Sequence, residues 1–287
     1  MRILITGAGG MLGQDVQAAA RSAGHETIAL TRAECDLADG AATRSAVRAA
    51  RPDAVINCAA WTDVDGAETH EAQARAVNGS GPGTLAGAAA DAGAWTVHVS
   101  TDYVFDGAKR TPYLESDPTG PLSAYGRSKL AGEHAVAAAA PDAHTVVRSA
   151  WLFGLHGRSF PATMLRLAAA RHELTVVDDQ IGSPTFTGHL APALVGLAAA
   201  PVPGVLHLAA AGECSWCEFA RAIVAGSEAR AGTTVRGITT AEYPTPAPRP
   251  AYSVLRSERG APELRHWNDG LTDYLTERRR AAAVPVR

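Results

Sequence analysis

Cysteine is scarce in this 287-residue chain. Cys35, Cys58, Cys214 and Cys217 are too few and too scattered to build a disulfide scaffold. Cys214 and Cys217 form a lone C-x-x-C without a second pair or suitably spaced histidines, so no metal site is expected. A redox pair stays open as an alternative to a helix start, because Ser215-x-x-Glu218 reads as a capping box. The ten histidines include no HExxH. Charge of one sign is also lacking: the net charge is −3, and no basic block occurs before Arg278-Arg279-Arg280. That argues against nucleic acid as a partner and leaves those arginines as a solvated helix end. No apolar run approaches the roughly 20 residues that span a bilayer, and Met1-Arg2 leads directly into an apolar strand without a signal-peptide pattern. The expectation is a soluble, cytoplasmic protein with no membrane partner. Charged residues make up 19% and hydrophobic residues 46%, so a sizeable core is available and disorder is not expected.

What is present is an alternation of short apolar strands and longer helices. Strands are expected at Arg2–Thr6, Glu26–Leu30, Ala54–Asn57, Trp95–Val99 and Thr145–Arg148. Helices are expected at 11–23, 41–50, 71–92 and 123–139, with Gly24, Pro52 and Gly93 as stops. Residues 101–122, with Pro112, Pro118 and Pro121, read as loop. Such alternation implies a doubly wound parallel sheet whose ligands bind at the carboxyl ends of the strands. Gly7, Asn57, Ser100 and Ser149 all fall at or just past such ends. Beyond residue 150 the pattern loosens into short segments at 174–177 and 205–208, helices near 215–225 and 269–280, and a proline-dense PTPAPRP at 244–250. The reading is therefore α/β, with residues 1–150 as a dinucleotide-binding domain. Residues 151–287 form mainly a smaller mixed α/β substrate lobe, some of its segments returning to the first domain.

Two stretches carry chemistry on their own. ITGAGGMLG, residues 5–13, sets Gly7, Gly10 and Gly13 between a strand and a helix. Glycine permits the tight turn and a close backbone approach to a pyrophosphate, and the N-terminus of the helix, at Met11 and Leu12, favours the anion. YGRSK, residues 125–129, puts Tyr125 and Lys129 one helical turn apart on one face. A nearby ammonium favours the ionised phenol, which suits a proton-transfer group.

Taken with NCAAWTDVDGAE (57–68), STDYVFDG (100–107), YGRSKLAGE (125–133), DDQIGSPT (178–185) and RPAYSVL (249–255), these stretches cover nearly the whole chain in order. Together they resemble the dTDP-4-dehydrorhamnose reductase family, in the extended branch of the short-chain dehydrogenase/reductase superfamily. The resemblance implies a Rossmann-type fold and reduction of the C4 keto group of a dTDP-4-keto-6-deoxyhexose by hydride from NAD(P)H. It implies a triad of Thr101, Tyr125 and Lys129, in which the lysine holds the nicotinamide ribose and lowers the tyrosine pKa. It places Asp36 and Leu37 near the adenine, and Ala59, Ala60 and Thr62 along the cofactor. Asp102, Tyr103 and Trp151 would line the sugar pocket. Gln180, Gly182, Pro184 and Thr185 would close over the substrate, and Arg249 would sit near its diphosphate. Trp151 as a core residue, Asp36 as a cap and Arg249 as a surface residue are the structural alternatives.

The second strand ends Ala29-Leu30-Thr31-Arg32 with no carboxylate to repel a 2′-phosphate, and Arg32 is placed to pair with one. NADPH is the expected cofactor. Glu34 folding back to serve the ribose would open the site to NADH as well. The rivals are a dehydratase or epimerase on the same fold, a C4 ketoreductase for another deoxysugar, and a regulatory subunit that binds dinucleotide without turnover. Some relatives are metal-bridged dimers, so a homodimer stays open for this chain.

Overall fold

The computed structural model describes residues 1–227 and 232–283. The chain starts β1 (Arg2–Thr6), α1 (Met11–Ser22), β2 (Glu26–Leu30), α2 (Gly40–Ala50) and β3 (Ala54–Asn57). It continues through α3 (Val64–Thr69), α4 (Glu71–Arg75), a π-helical turn at Ala76–Ser80, α5 (Gly81–Asp91), β4 (Trp95–Thr101), α6 (Ala124–Ala139) and β5 (His144–Ser149). Next come β6 (Leu152–Phe153), α7 (Phe160–Ala170), β7 (Glu173–Val177), β8 (Ile181–Gly182), β9 (Thr185–Phe186), α8 (Thr187–Ala199) and β10 (Gly204–His207). The remainder is β11 (Ala210–Ala211), β12 (Cys214–Ser215), α9 (Trp216–Ala225), β13 (Thr234–Ile238), β14 (Leu264–His266) and α10 (Trp267–Ala283).

Six strands form one parallel sheet in the order β10-β5-β4-β3-β1-β2. Side chains alternate across it, as the period of a strand requires. Ile3 and Ile5 pack on one face with Leu12, Val16, Leu190 and Leu194. Leu4 packs on the other with Val47, Val55 and Leu85. This is the Rossmann-type arrangement, with helices covering both faces. Its helices are closed by side-chain caps where the turn needs them: Asp39 caps α2, and Ser123 caps the helix that carries Tyr125.

Three features depart from the linear reading. The helix expected over 71–92 is broken by the π turn, which places the buried Asn78 where its amide bonds Trp61 N, Trp61 O and Ser128 Oγ. A further short helix, α3, occupies a stretch to which no element was assigned, capped by Asp63 on Gly66 N. Helices α7 and α8, which were not expected from the sequence, contain Pro161 and Pro192. Pro161 stands in the first turn, where its missing N–H costs nothing. Pro192 lies inside α8, a helix buried through Leu190, Ala191, Leu194, Val195 and Leu197 against α1 and the sheet.

The segment at 174–177 does not join the main sheet: β7 pairs with β13. The segment at 205–208 does join it, as β10 alongside β5. A second core gathers Phe153, Met164, Leu174, Phe219, Tyr274 and Leu275. Ser215 and Glu218 build the capping box of α9, while Cys214 and Cys217 are buried free thiols raised in pKa by that burial. Among the described residues no helix is long and apolar enough to cross a membrane.

Candidate active site

The carboxyl ends of β1, β3, β4 and β5 open onto one cavity of about 1010 Å³ that runs from the glycine turn to Trp216. The turn is fixed by contact. A Cβ on Gly7, at φ +67°, would lie 2.6 Å from Ala59 N, and one on Gly13 would lie 2.3 Å from Gly7 O. Neither position admits a side chain, so β1 and α1 approach the loop after β3 with backbone alone. Helix α1 begins at Gly10 with no side chain capping it, and Gly10, Met11, Leu12 and Gly13 line the cavity. Its free first-turn N–H groups and positive dipole end suit a pyrophosphate.

At the same end lie Thr31, Arg32, Asp36 and Leu37. The Arg32 guanidinium is 77% exposed and leans on Asp36 Oδ2 at 3.3 Å. The Glu34 carboxylate is taken up by Thr31, accepting from its N–H and its hydroxyl at 2.8 Å each. It does not line the cavity. Ala59, Ala60 and Thr62 do. Asn78 holds that stretch against α6: its amide joins Trp61 to Ser128, whose hydroxyl donates in turn to Tyr125 O at 2.7 Å.

Thr101, Tyr125 and Lys129 meet on the cavity wall, from the end of β4 and the first turns of α6. The Lys129 ammonium donates to Val99 O at 2.7 Å. Burial pushes its pKa down to about 8, and the neighbouring Glu133 opposes the fall. Tyr125 stands edge-on to Tyr103, with ring centroids 5.8 Å apart. Its phenol, within hydrogen-bond reach of Thr101, is pushed up to about 12 by desolvation. The expected lowering of the phenol pKa by Lys129 is therefore not the governing effect here. The ammonium is turned to a carbonyl of β4, and desolvation is the largest influence on the phenol. Tyr125 stands as a firmly protonated acid.

Asp102 is 2% exposed and also lines the cavity. Its Oδ1 accepts the Thr101 hydroxyl at 3.0 Å, and its Oδ2 is enclosed with no hydrogen-bond partner. Burial pushes its carboxyl up to about 6. Trp151, at φ +46°, stacks on Trp216 with centroids 3.5 Å apart and planes within 2°, and both line the cavity.

Five expected substrate residues, Gln180, Gly182, Pro184, Thr185 and Arg249, are not on this wall. Thr185 is fully buried, with its hydroxyl donating to Ser183 O and accepting from Ala210 N, so it ties loop to strand. Gln180 is 6% exposed and bonds Thr240 Oγ at 3.0 Å. Arg249 grips Asp65 in a two-pronged ion pair at 2.8 and 2.9 Å and also donates to Thr245 and Ala247. The guanidinium also lies beside Tyr103, which does line the cavity. Conversely, Cys58, Trp61, Arg158, Ser159, Phe160, Thr163 and Trp216 line the cavity without having been marked in the sequence. For Ser159 and Phe160 the signal was legible: a serine followed by Pro161 is a helix start, and Ser159 caps α7. The Cys58 thiol, pushed up to about 12 by burial, is an apolar wall and not a nucleophile.

Comparison with known proteins adds independent findings. Residues 1–280 match the family described as RmlD substrate binding domain. A dTDP-4-dehydrorhamnose reductase of Mycobacterium tuberculosis (strain H37Rv) is 47% identical, covering 100% of this chain and 96% of that protein. A dTDP-4-keto-6-deoxy-D-glucose reductase of Streptomyces niveus is 43% identical, covering 94% and 95%. The crystal structure of dTDP-4-dehydrorhamnose reductase from Bacillus anthracis, in complex with NADP, matches with a TM-score of 0.92 at 34% identity, over 96% of this chain and 99% of that one.

Proposed function

The chain belongs to the dTDP-4-dehydrorhamnose reductase family, and from that membership we propose that it is the oxidoreductase that reduces the C4 keto group of a dTDP-4-keto-6-deoxyhexose. The substrate is dTDP-4-dehydro-L-rhamnose and the product dTDP-L-rhamnose. The observation that carries the reading is the meeting of Tyr125, Lys129 and Thr101 on one wall of a cavity that begins at the glycine turn.

The residues fit a nicotinamide dinucleotide. The uncapped start of α1 receives the pyrophosphate, Leu37 and Asp36 flank the adenine, and Ala59, Ala60 and Thr62 run along the chain of the cofactor. Arg32, exposed and paired with Asp36, serves the 2′-phosphate, which favours NADPH. Glu34 is occupied by Thr31 and leaves the ribose alone. NADPH, when bound, supplies the hydride. Lys129 holds the nicotinamide ribose. Tyr125, protonated at working pH, hydrogen-bonds the C4 oxygen and gives it a proton as negative charge develops there. Asp102, Tyr103 and Trp151 enclose the sugar.

A dehydratase reading is disfavoured by Tyr103. The related dehydratases carry an Asp-Glu pair after the threonine, and here Asp102 is followed by a phenol whose pKa is raised by burial. A ketoreductase for another deoxyhexose is supported by the Streptomyces niveus relative. Competing turnover of dTDP-4-keto-6-deoxyhexoses with NADPH separates these readings. The rhamnose precursor is expected to give the highest kcat/KM, and a higher value for another hexose would reassign the sugar.

A further inference from the structure

Thr101 has a single hydroxyl proton, and the structure directs it away from the substrate. Its Oγ1 donates to Asp102 Oδ1 at 3.0 Å and accepts the N–H of Tyr103 at 3.2 Å. A hydroxyl offers one donor and two acceptor sites. With both bonds made, only a lone pair remains for the cavity. A lone pair repels an oxygen that gains negative charge, whereas such a site needs donors. While Asp102 is a carboxylate, Thr101 has no proton to offer the C4 oxygen.

Burial disfavours that carboxylate and outweighs the hydrogen bonds that Ser253, Thr101 and the backbone N–H groups of Asp102 and Tyr103 offer it. No ion pair reaches it among the described residues. Tyr103 on its own turn, Tyr125 on α6 and the Ser253 hydroxyl face it. The nearby cations are engaged elsewhere: Arg249 by Asp65, and Lys129 by Val99 O. Oδ2 is enclosed and unpartnered. A buried carboxyl without a cation takes up a proton more readily, here at about pH 6. Protonation reverses the bond to Thr101. The carboxyl O–H donates to Oγ1, which then accepts from Asp102 and from Tyr103 N–H, and the threonine proton is released to the cavity.

We propose that Asp102 is a positioning acid: protonated, it donates to Thr101 and turns the threonine hydroxyl toward the C4 oxygen; ionised, it withdraws that donor. Asp102 keeps its proton through turnover. Hydride from the reduced nicotinamide forms the new C–H bond at C4, and the Tyr125 O–H breaks to form the new O–H bond. The nicotinamide is oxidised, the ketone is reduced to the alcohol, and the tyrosinate recovers a proton from water. The proposal rests on the ketoreductase reading above.

The experiment is the pH profile of kcat/KM, between about pH 5 and 9, for wild type, Asp102→Asn, Thr101→Val and the double variant. An asparagine amide donates to Thr101 at every pH. The ratio of Asp102→Asn to wild type is therefore expected to rise about tenfold per pH unit above the carboxyl limb. With valine at 101, adding Asp102→Asn is expected to change kcat/KM by one constant factor at every pH, since Asp102 also lines the cavity. Thr101→Ser, which keeps the hydroxyl, should keep the limb. A ratio that stays constant with pH, or the same pH-dependent rise of that ratio with valine at 101, overturns the proposal. NADPH titration checks that each variant is folded. Infrared spectroscopy gives a readout independent of turnover: a carboxylic band in wild type at low pH, missing in Asp102→Asn, is expected, and its absence also overturns the proposal. Failure of wild type to reduce any dTDP-4-keto sugar, with that band present, would strike the proposed function and leave the Asp102 assignment standing.

Discussion

Arg249 and Asp65, 184 residues apart in the chain, face each other through two parallel hydrogen bonds of 2.8 and 2.9 Å. The pair ties the proline-rich strap before β14 to α3, directly beyond the stretch that lines the cavity. Asp65 is 37% exposed, so solvent screens the pair and Asp65→Asn is expected to cost only about 1 kcal/mol. The Arg249 hydrogen bonds hold the carboxyl of Asp65 below its usual range. A depressed carboxyl pKa contributes stability that is complete above the unfolded value and is lost as pH falls through the folded one. Urea unfolding of wild type and Asp65→Asn should thus differ at pH near 7 and converge below about pH 4. A gap that persists in acid would contradict this.

Glu133 and Arg148 form a buried pair, at 3% and 6% side-chain exposure, with Ser100 donating to Glu133 as well. Arg148→Met leaves a buried carboxylate unpaired and is expected to cost roughly 3–5 kcal/mol. Replacing Glu133 by Leu in the same chain should recover much of that loss. Denaturant midpoints decide it, and an additive double variant would show that the two charges do not depend on each other.

Tyr125→Phe removes the proton donor and leaves the cofactor contacts in place. Turnover should fall by roughly 10²–10⁴-fold with NADPH affinity kept. Lys129→Met should lower both. Since burial sets the Lys129 pKa at about 8, NADPH affinity should weaken as pH rises through that value and the ammonium is lost. Single-turnover rates and fluorescence titrations across pH test this. Equal NADPH affinity on both sides of that pH would remove the ribose role from Lys129.

Arg32→Ala should lower kcat/KM for NADPH by about tenfold or more, the scale of a charge-assisted hydrogen bond, and leave NADH unchanged. A wild-type preference for NADH would reject the 2′-phosphate assignment.

Much of this was legible in the sequence, for physical reasons. The five apolar strands are buried runs punctuated by glycine and proline, and they lie where the pattern puts them. The fold, the family and the reaction followed from strings whose order spans the chain. Helices α7 and α8 were hidden because Pro161 and Pro192 mimic stops, and their tolerance depends on position and burial. The partners of Thr185, Gln180 and Arg249 could not be read, because a loop sequence does not reveal them. Those partners are Ala210, Thr240 and Asp65, each distant in sequence. The direction of the Thr101 hydroxyl was equally out of reach, since it depends on Asp102 being enclosed without a cation.

The central claim is most directly tested by incubating the purified protein with NADPH and dTDP-4-dehydro-L-rhamnose. Nicotinamide absorbance would be followed and the sugar product identified by NMR. The account predicts one NADPH oxidised per dTDP-L-rhamnose formed, with no reaction of dTDP-glucose in the presence of catalytic NAD. Absence of NADPH oxidation, or formation of a 4-keto-6-deoxy product from dTDP-glucose, would contradict it.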